Sequence, residues 1–270
     1  MTRFKQSHKP GGSRDFLNPY RVGLRLILDR LIWDISFRSW IHRKKFIALR
    51  NLHSGEKAII LCNGPSLKNV DFSTLGKVFT FGLNKINLLF SEMDFRPSAV
   101  VAVNPLVIQQ NSEFFSSTDI PLFLDRIAVQ YGIASNANVH LLHSCDFPYF
   151  SQDCSKSIFQ GFTVTYVALQ LAYHMGFEKV ALVGCDHNYH MLGNPNAISY
   201  NQNTDPAHFC DDYFAPNQPW QFPDLKASEH YYDLARQCYE KEGRVIVNAS
   251  SSTNLDVFPM MSLEKFIHDG

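Results

Sequence analysis

Lys57-Ala-Ile-Ile-Leu-Cys-Asn-Gly-Pro-Ser-Leu-Lys68 is the stretch whose reading decides the fold. Four consecutive apolar residues, 58–61, suit a strand buried on both faces, and Asn63-Gly64-Pro65-Ser66 then stops it. A buried strand running straight into a tight polar turn is the repeating unit of an open α/β sheet. In such sheets ligands bind beyond the carboxyl ends of the strands, and a glycine there lets a phosphate or sugar approach the backbone where a Cβ would obstruct it. The same residues would also build an ordinary strand-to-helix turn, because one glycine is a weaker signal than G-x-G-x-x-G.

Outward from this stretch the pattern recurs. Short apolar runs at 58–61, 78–81, 99–103, 122–124, 139–142, 180–183 and 245–247 read as strands, with helical periodicity between most of them. The spacing predicts a helix over 163–175 closed by Gly176. A second helix is predicted over 223–242, with Pro223 at its start, Asp224 in its first turn and Gly243 at its end. This alternation predicts an α/β, Rossmann-like fold: a mostly parallel sheet with helices on both faces. Residues 185–222 are aperiodic and rich in Asn, Asp, Pro, His and aromatic residues, the composition of a lid over a substrate rather than a plain connector.

Charge divides the chain. The 270 residues are formally neutral, which argues against a nucleic-acid partner, yet residues 1–50 hold twelve Lys and Arg against three Asp, a net of +9. That leaves 13 basic against 22 acidic residues, a net of −9, for 51–270. The division expected is therefore a polar tail and basic amphipathic helical arm over 1–50, followed by a nucleotide-binding catalytic domain over 51–270 with its lid at 185–222. Apolar residues recur at helical spacing over 22–49, with Arg25, Arg30, Arg38, Arg43, Lys44 and Lys45 on the other face. Such a helix packs on the body or lies on an anionic membrane surface. Six scattered cysteines with no C-x-x-C pair, no signal-peptide core and no span of about 18 apolar residues point to a cytoplasmic protein, peripheral at the inner face of the membrane if the arm binds there. A homo-oligomer is left open.

The strand ends carry the candidate chemistry. Asn63-Gly64-Pro65-Ser66, Gly82-Leu83-Asn84, Asn104-Pro105 and Gly184-Cys185-Asp186-His187 each follow an apolar run. Asn side chains offer donors and acceptors to ribose hydroxyls and base edges, and Gly and Ser expose backbone amides to phosphates. The reading is a nucleotide crevice built from Asn63, Gly64, Pro65, Ser66, Asn84, Asn104 and Gly184. Neither G-x-x-x-x-G-K-[ST] nor G-x-S-x-G is present, so a P-loop hydrolase and a serine nucleophile lack support. For proton transfer the candidates are His208, Asp186 and His187, with His208 favoured as base because an imidazole titrates near neutral pH. Tyr189 and Tyr213 are the expected substrate-facing residues of the lid. A metal held by Asp186, His187 and His190 is disfavoured, since the pattern is loop-borne and lacks the i, i+4 spacing of H-E-x-x-H; no metal is expected.

With these residues in hand, Asn63-Gly-Pro-Ser-Leu-Lys68, Asn104-Pro105 and Met175-Gly-Phe-Glu-Lys-Val-Ala-Leu-Val-Gly-Cys-Asp186 resemble two related groups over residues 56–259. One is the MptE-like group, named for 6-hydroxymethylpterin diphosphokinase; the other is the single-domain bacterial sialyltransferases with a Rossmann-like, GT-A-type domain. The second resemblance implies that the matching turns hold CMP-sialic acid, and it adds Thr163, which falls where that family has a Thr-Ser pair, with Val164 at the Ser position. That family's base precedes an Asp-Ile-Lys-Ala-Leu helix start, resembling Asp224-Leu-Lys-Ala-Ser228. Pro219 and Trp220 stand in that neighbourhood, so the base does not carry over.

The expectation is a glycosyltransferase of bacterial surface-glycan biosynthesis. It would join a nucleotide-activated sugar, with a CMP-linked sialic acid or related nonulosonate favoured, to a glycan acceptor, without a required cofactor. The alternatives are a diphosphokinase of the pterin type using ATP and Mg²⁺, with Asp186, Asp211 and Asp212 near the ion, and a non-catalytic nucleotide-binding protein of glycan assembly.

Overall fold

The computed structural model describes residues 18–76, 78–188, 194–200, 208–210, 213–214 and 217–269. It divides into two compact units, residues 1–40 and 41–270, and α2 spans the division. The arm expected as one helix over 22–49 is two, α1 (Pro19–Asp34) and α2 (Phe37–Leu49). Asn18 caps α1, its side-chain oxygen accepting from the amides of Tyr20 and Arg21. Ser36 makes the break: its hydroxyl donates to Trp33 O at 2.9 Å and accepts the Ser39 amide at 3.1 Å, which caps α2. Within the larger unit α2 contributes Phe46, 2% exposed, whose ring meets those of Phe123, His140 and His174. Lys45, the residue before it, donates to three carbonyls, those of Asn136, Ala137 and Val139.

Seven strands form one sheet, and every pairing in it is parallel: β1 (Lys57–Leu61), β2 (Phe79–Leu83), β3 (Ala99–Ala102), β4 (Leu122–Asp125), β5 (Val139–Leu142), β6 (Lys179–Val183) and β9 (Val245–Asn248). All seven coincide with apolar runs read from the sequence. Their order is β5-β4-β3-β2-β1-β6-β9. Alternate residues of β1 face opposite layers: Ala58, Ile60 and Cys62 join the main core with α5 (Val164–Met175), while Ile59 and Leu61, equally buried, face the other side. α5 packs over β1, β2 and β3. α6 (Leu225–Lys241) packs on α5 and β9, and α7 (Leu263–His268) on β6.

α5 is buried on all sides from Thr165 to Met175, as a helix apolar all round must be. Its one amide, Gln170, is fully satisfied: it accepts from Ser151 and Phe159 and donates to the carbonyls of Phe159 and Tyr166. Thr163 caps α5 and Gly176, at φ +96°, ends it. Asp224, expected inside the first turn of the later helix, is instead the N-cap of α6. On the β1–β5 side the connections are short: α3 (Pro105–Gln110), α4 (Ser112–Ser117) and 3₁₀ turns such as Pro65–Asn69 and Ile86–Ser91. Within the expected lid, a two-stranded antiparallel ribbon pairs β7 (Ile198–Tyr200) with β8 (Pro219–Gln221), too short to leave a periodic trace in the sequence.

Candidate functional site

The chain leaves β1 in one direction, builds outward to β5, and returns to lay β6 on the other side of β1. The crevice outside the carboxyl ends of β1 and β6 is therefore the topological switch point, where open α/β sheets bind ligands. Two of the turns singled out from the sequence meet there. Cys62 donates its amide to Val183 O at 2.8 Å, and Gly64 donates to Gly184 O at 2.9 Å. The Asp186 carboxylate accepts the Ser66 amide at 2.7 Å and the Ser66 hydroxyl through its other oxygen. A Cβ on Gly64 would stand 2.6 Å from Gly184 O and 2.7 Å from Asp186 Cγ. The space that Gly64 leaves is thus filled by the turn after β6, whereas the sequence reading reserved it for a ligand. Asp186 and Ser66 are both buried and spent on joining the two turns.

Asn63 and Asn84 are placed differently. They follow the neighbouring strands β1 and β2, and the side-chain oxygen of each is buried with no hydrogen-bond partner among the described residues. Asn84 also takes a left-handed backbone, φ +52°. A buried amide oxygen left without a donor forgoes a free energy on the order of 1–3 kcal/mol, so each of the two could accept from a water or a ligand group brought to these strand ends. Asn104 is spent locally: its side-chain oxygen accepts the Leu106 amide and caps α3, while its amide group reaches Gln221 on β8 at 3.5 Å. Pro65 opens the first 3₁₀ turn and is exposed.

The described part of the lid closes on these turns. Phe209 donates its amide to Asn63 O at 2.9 Å. His208 stacks on the ring of Tyr213, with centroids 4.0 Å apart and planes within 5°, and meets Phe214 edge-on. Lys85, which the sequence reading passed over, holds this segment. Its ammonium donates to Tyr213 O at 2.8 Å and to Gln218 Oε1 at 3.3 Å, and it lies 4.7 Å above the Phe214 ring. It is 5% exposed, and a lysine so buried must spend its charge on such partners. Its one sequence signal was its place next to Asn84 in a strand-end turn. Tyr189, His190, Asp211 and Asp212 lie outside the described residues.

On the α6 side, His187 Nε2 stands 2.9 Å from Glu229 Oε1, and the residue takes φ +52°. Thr163 shares its hydroxyl with Tyr232 OH at 3.2 Å. Glu229 and Tyr232, three apart on one face of α6, were also missed; an amphipathic helix read as packing hides residues at its crevice end. Beneath them the Cys62 thiol is pushed well above its ordinary value by its hydrogen bond with Cys185 and by burial, and burial does the same to the Tyr232 phenol. Both shifts favour the protonated, neutral form. The candidate bases thus lie on two sides, His187 against α6 and His208 on the segment that Lys85 anchors.

A separate groove of about 610 Å³ runs beside the end of β9, between 69–71, 249–251 and 260–268, away from Asn63 and Asn84. Near Asn63 and Asn84 stand instead Phe209, bonded to Asn63 O, and Tyr213, held by Lys85.

A family model described as 6-hydroxymethylpterin diphosphokinase MptE-like matches residues 37–191, from α2 through the switch-point turns. The chain belongs to the MptE-like family. The matched span holds Asn63, Ser66, Asn84, Lys85, Asn104, Thr163 and Asp186, and it ends before His208. Among solved structures, the MAf glycosyltransferase from Magnetospirillum magneticum AMB-1 is similar at a TM-score of 0.48 and 12% identity, over 84% of this chain and 39% of that one. The chain therefore spans well under half of that protein's length. No curated protein matches the sequence.

Proposed function

We propose that this MptE-like chain is a glycosyltransferase that takes its sugar from a nucleotide donor held at the β1/β6 switch point. The observation that carries the reading is the pair of buried oxygens without a partner among the described residues, Asn63 Oδ1 and Asn84 Oδ1, at the ends of the adjacent strands β1 and β2 beside that switch point. They accept from donors such as ribose hydroxyls or an exocyclic base amine. A CMP-linked nonulosonate is the favoured donor and a bacterial surface glycan the acceptor. A single phosphate suits a crevice whose buried lysine, Lys85, is already engaged by the lid.

In this account His208 accepts the proton of the attacking acceptor hydroxyl. The Tyr213 stack and the Phe209 amide fix its ring next to the Asn63 turn. The sugar moves to that oxygen, its bond to the donor phosphate breaks, and the nucleoside monophosphate leaves. His208→Phe keeps the stack while removing proton transfer. The variant is expected to lose a factor of roughly 10²–10⁴ in transfer from a CMP-sugar while keeping its nucleotide-induced rise in Tm. Full transfer activity would remove His208 as base.

A second reading follows from the family description: transfer of diphosphate from ATP to an alcohol, with Mg²⁺ offsetting phosphate charge. Of the three acids named for the ion, Asp211 and Asp212 lie outside the described residues. Asp186 has both oxygens on Ser66, and no three His, Cys, Asp or Glu residues among those described come together as ligands.

A further inference from the structure

α1 has two apolar faces, and its packing uses one. At 100° per residue, Val22, Leu26 and Trp33 fall together, and they are the buried or half-buried side of the helix. Leu24, Ile27, Leu28, Leu31, Ile32 and Ile35 recur at i, i+3, i+4, i+7, i+8 and i+11 on the opposite side, and they are 48–82% exposed. Two exposed aromatic residues follow at once, Phe37 at 72% and Trp40 at 53%. An uninterrupted apolar stripe of this length in water is a surface that something covers.

Charge indicates what covers it. Arg21 and Arg25 are exposed and lie along the edge of the stripe, in the same row as Leu28 and Ile32. Of the two acids in α1, Asp34 is bound by Arg30 at 2.8 Å, and Asp29 falls on the side opposite the stripe. Residues 1–40 carry eight Lys and Arg against three Asp, a net of +5. Pairing this segment with its copy would set like charge against like charge. An anionic bilayer satisfies both halves of the pattern: apolar side chains and the aromatic rings enter at headgroup depth, and arginines reach lipid phosphates while their stems stay on the apolar side. No helix among the described residues is long and apolar enough to cross a membrane, so α1 would lie in the surface plane.

We propose that α1 and the Ile35–Trp40 segment form a docking surface for an anionic lipid bilayer. The test uses the full chain and two sets of vesicles, phosphatidylcholine alone and phosphatidylcholine with about a third phosphatidylserine, in a flotation assay. The wild type is expected to float with the anionic vesicles at low salt and to be released at high salt. Arg21→Glu/Arg25→Glu is expected to weaken partitioning by roughly tenfold or more, at about 1 kcal/mol per basic residue near such a surface. Leu28→Asp/Ile32→Asp should abolish it. Both changes are at exposed positions, and an unchanged Tm would show that each variant is folded. Three outcomes would overturn the proposal: no flotation of the wild type, equal binding to both vesicle types, or a concentration-dependent dimer, seen by sedimentation and lost in Leu28→Asp/Ile32→Asp, in a chain that leaves vesicles alone.

Discussion

Gly64 shows what a residue can and cannot disclose by its type. Its φ of −70° is open to any amino acid, so the glycine is required by closeness alone, from Gly184 O and Asp186 Cγ. Sequence supplies the need for a small residue at the strand end. It does not supply the neighbour, which arrives 120 positions later along the chain. Gly64→Ala is expected to destabilise the fold by about 1–3 kcal/mol through overpacking, read as a lower urea midpoint with an unchanged slope. Asn63 and Asn84 follow β1 and β2 as the apolar runs indicated, and their side-chain oxygens cap nothing among the described residues. Asn104, Ser66 and Asp186 stand in the same kind of strand-end turn, yet their side chains bond within the fold.

His140 makes a second residue-scale prediction. Burial, with the Lys45 ammonium adding to it, pushes its imidazole down from 6.5 to about 4. The folded ring is therefore neutral where the unfolded one takes up a proton. Its contribution is complete above pH 6.5 and is lost as pH falls toward 4, by no more than about 3 kcal/mol. His174, also lowered by burial, acts in the same direction. Urea unfolding at pH 7.5 and 4.5 should show the wild type losing more stability than His140→Phe. Equal losses would contradict this assignment.

At the scale of elements, apolar runs and glycine stops were sufficient for the seven strands, for α5 and for the end of α6. The arm's break at Ser36 was not read, because a serine inside an apolar periodicity looks the same whether it caps a helix or rides on one. Residues 185–222 were readable as an aperiodic segment, and the described parts of it carry structure that the sequence does not show. Its ribbon is three residues per strand, and its anchor, Lys85, belongs to another element entirely. Lys85→Met would leave Tyr213 O buried without its donor and release the segment from Asn63. The expected result is amide exchange at Phe209 at least about tenfold faster than in the wild type. Unchanged exchange would show that the aromatic contacts of Tyr213 and Phe214 hold the lid unaided.

For the whole molecule, alternation of strands and helices predicted a parallel sheet but not the order of its strands, which depends on where the chain reverses. That reversal puts the turns of β1 and β6 side by side and makes a single crevice from positions that sequence shows only as scattered Asn and Gly residues. The separation of a basic arm from an acidic body was visible from charge alone; the exposed stripe on α1 was not, since periodicity does not say which of two apolar faces is covered. The central claim is that the carboxyl ends of β1 and β2, beside the switch point, bind the CMP part of a sugar donor through Asn63 and Asn84. It is tested most directly by a thermal-shift titration with CMP, CDP and ATP plus Mg²⁺. At a hundredfold excess over Kd, CMP is predicted to raise the Tm by roughly 5–10 °C, and Asn63→Leu/Asn84→Leu is predicted to lose that rise. Stabilisation by ATP with Mg²⁺ alone, or by no nucleotide at millimolar concentration, would contradict it.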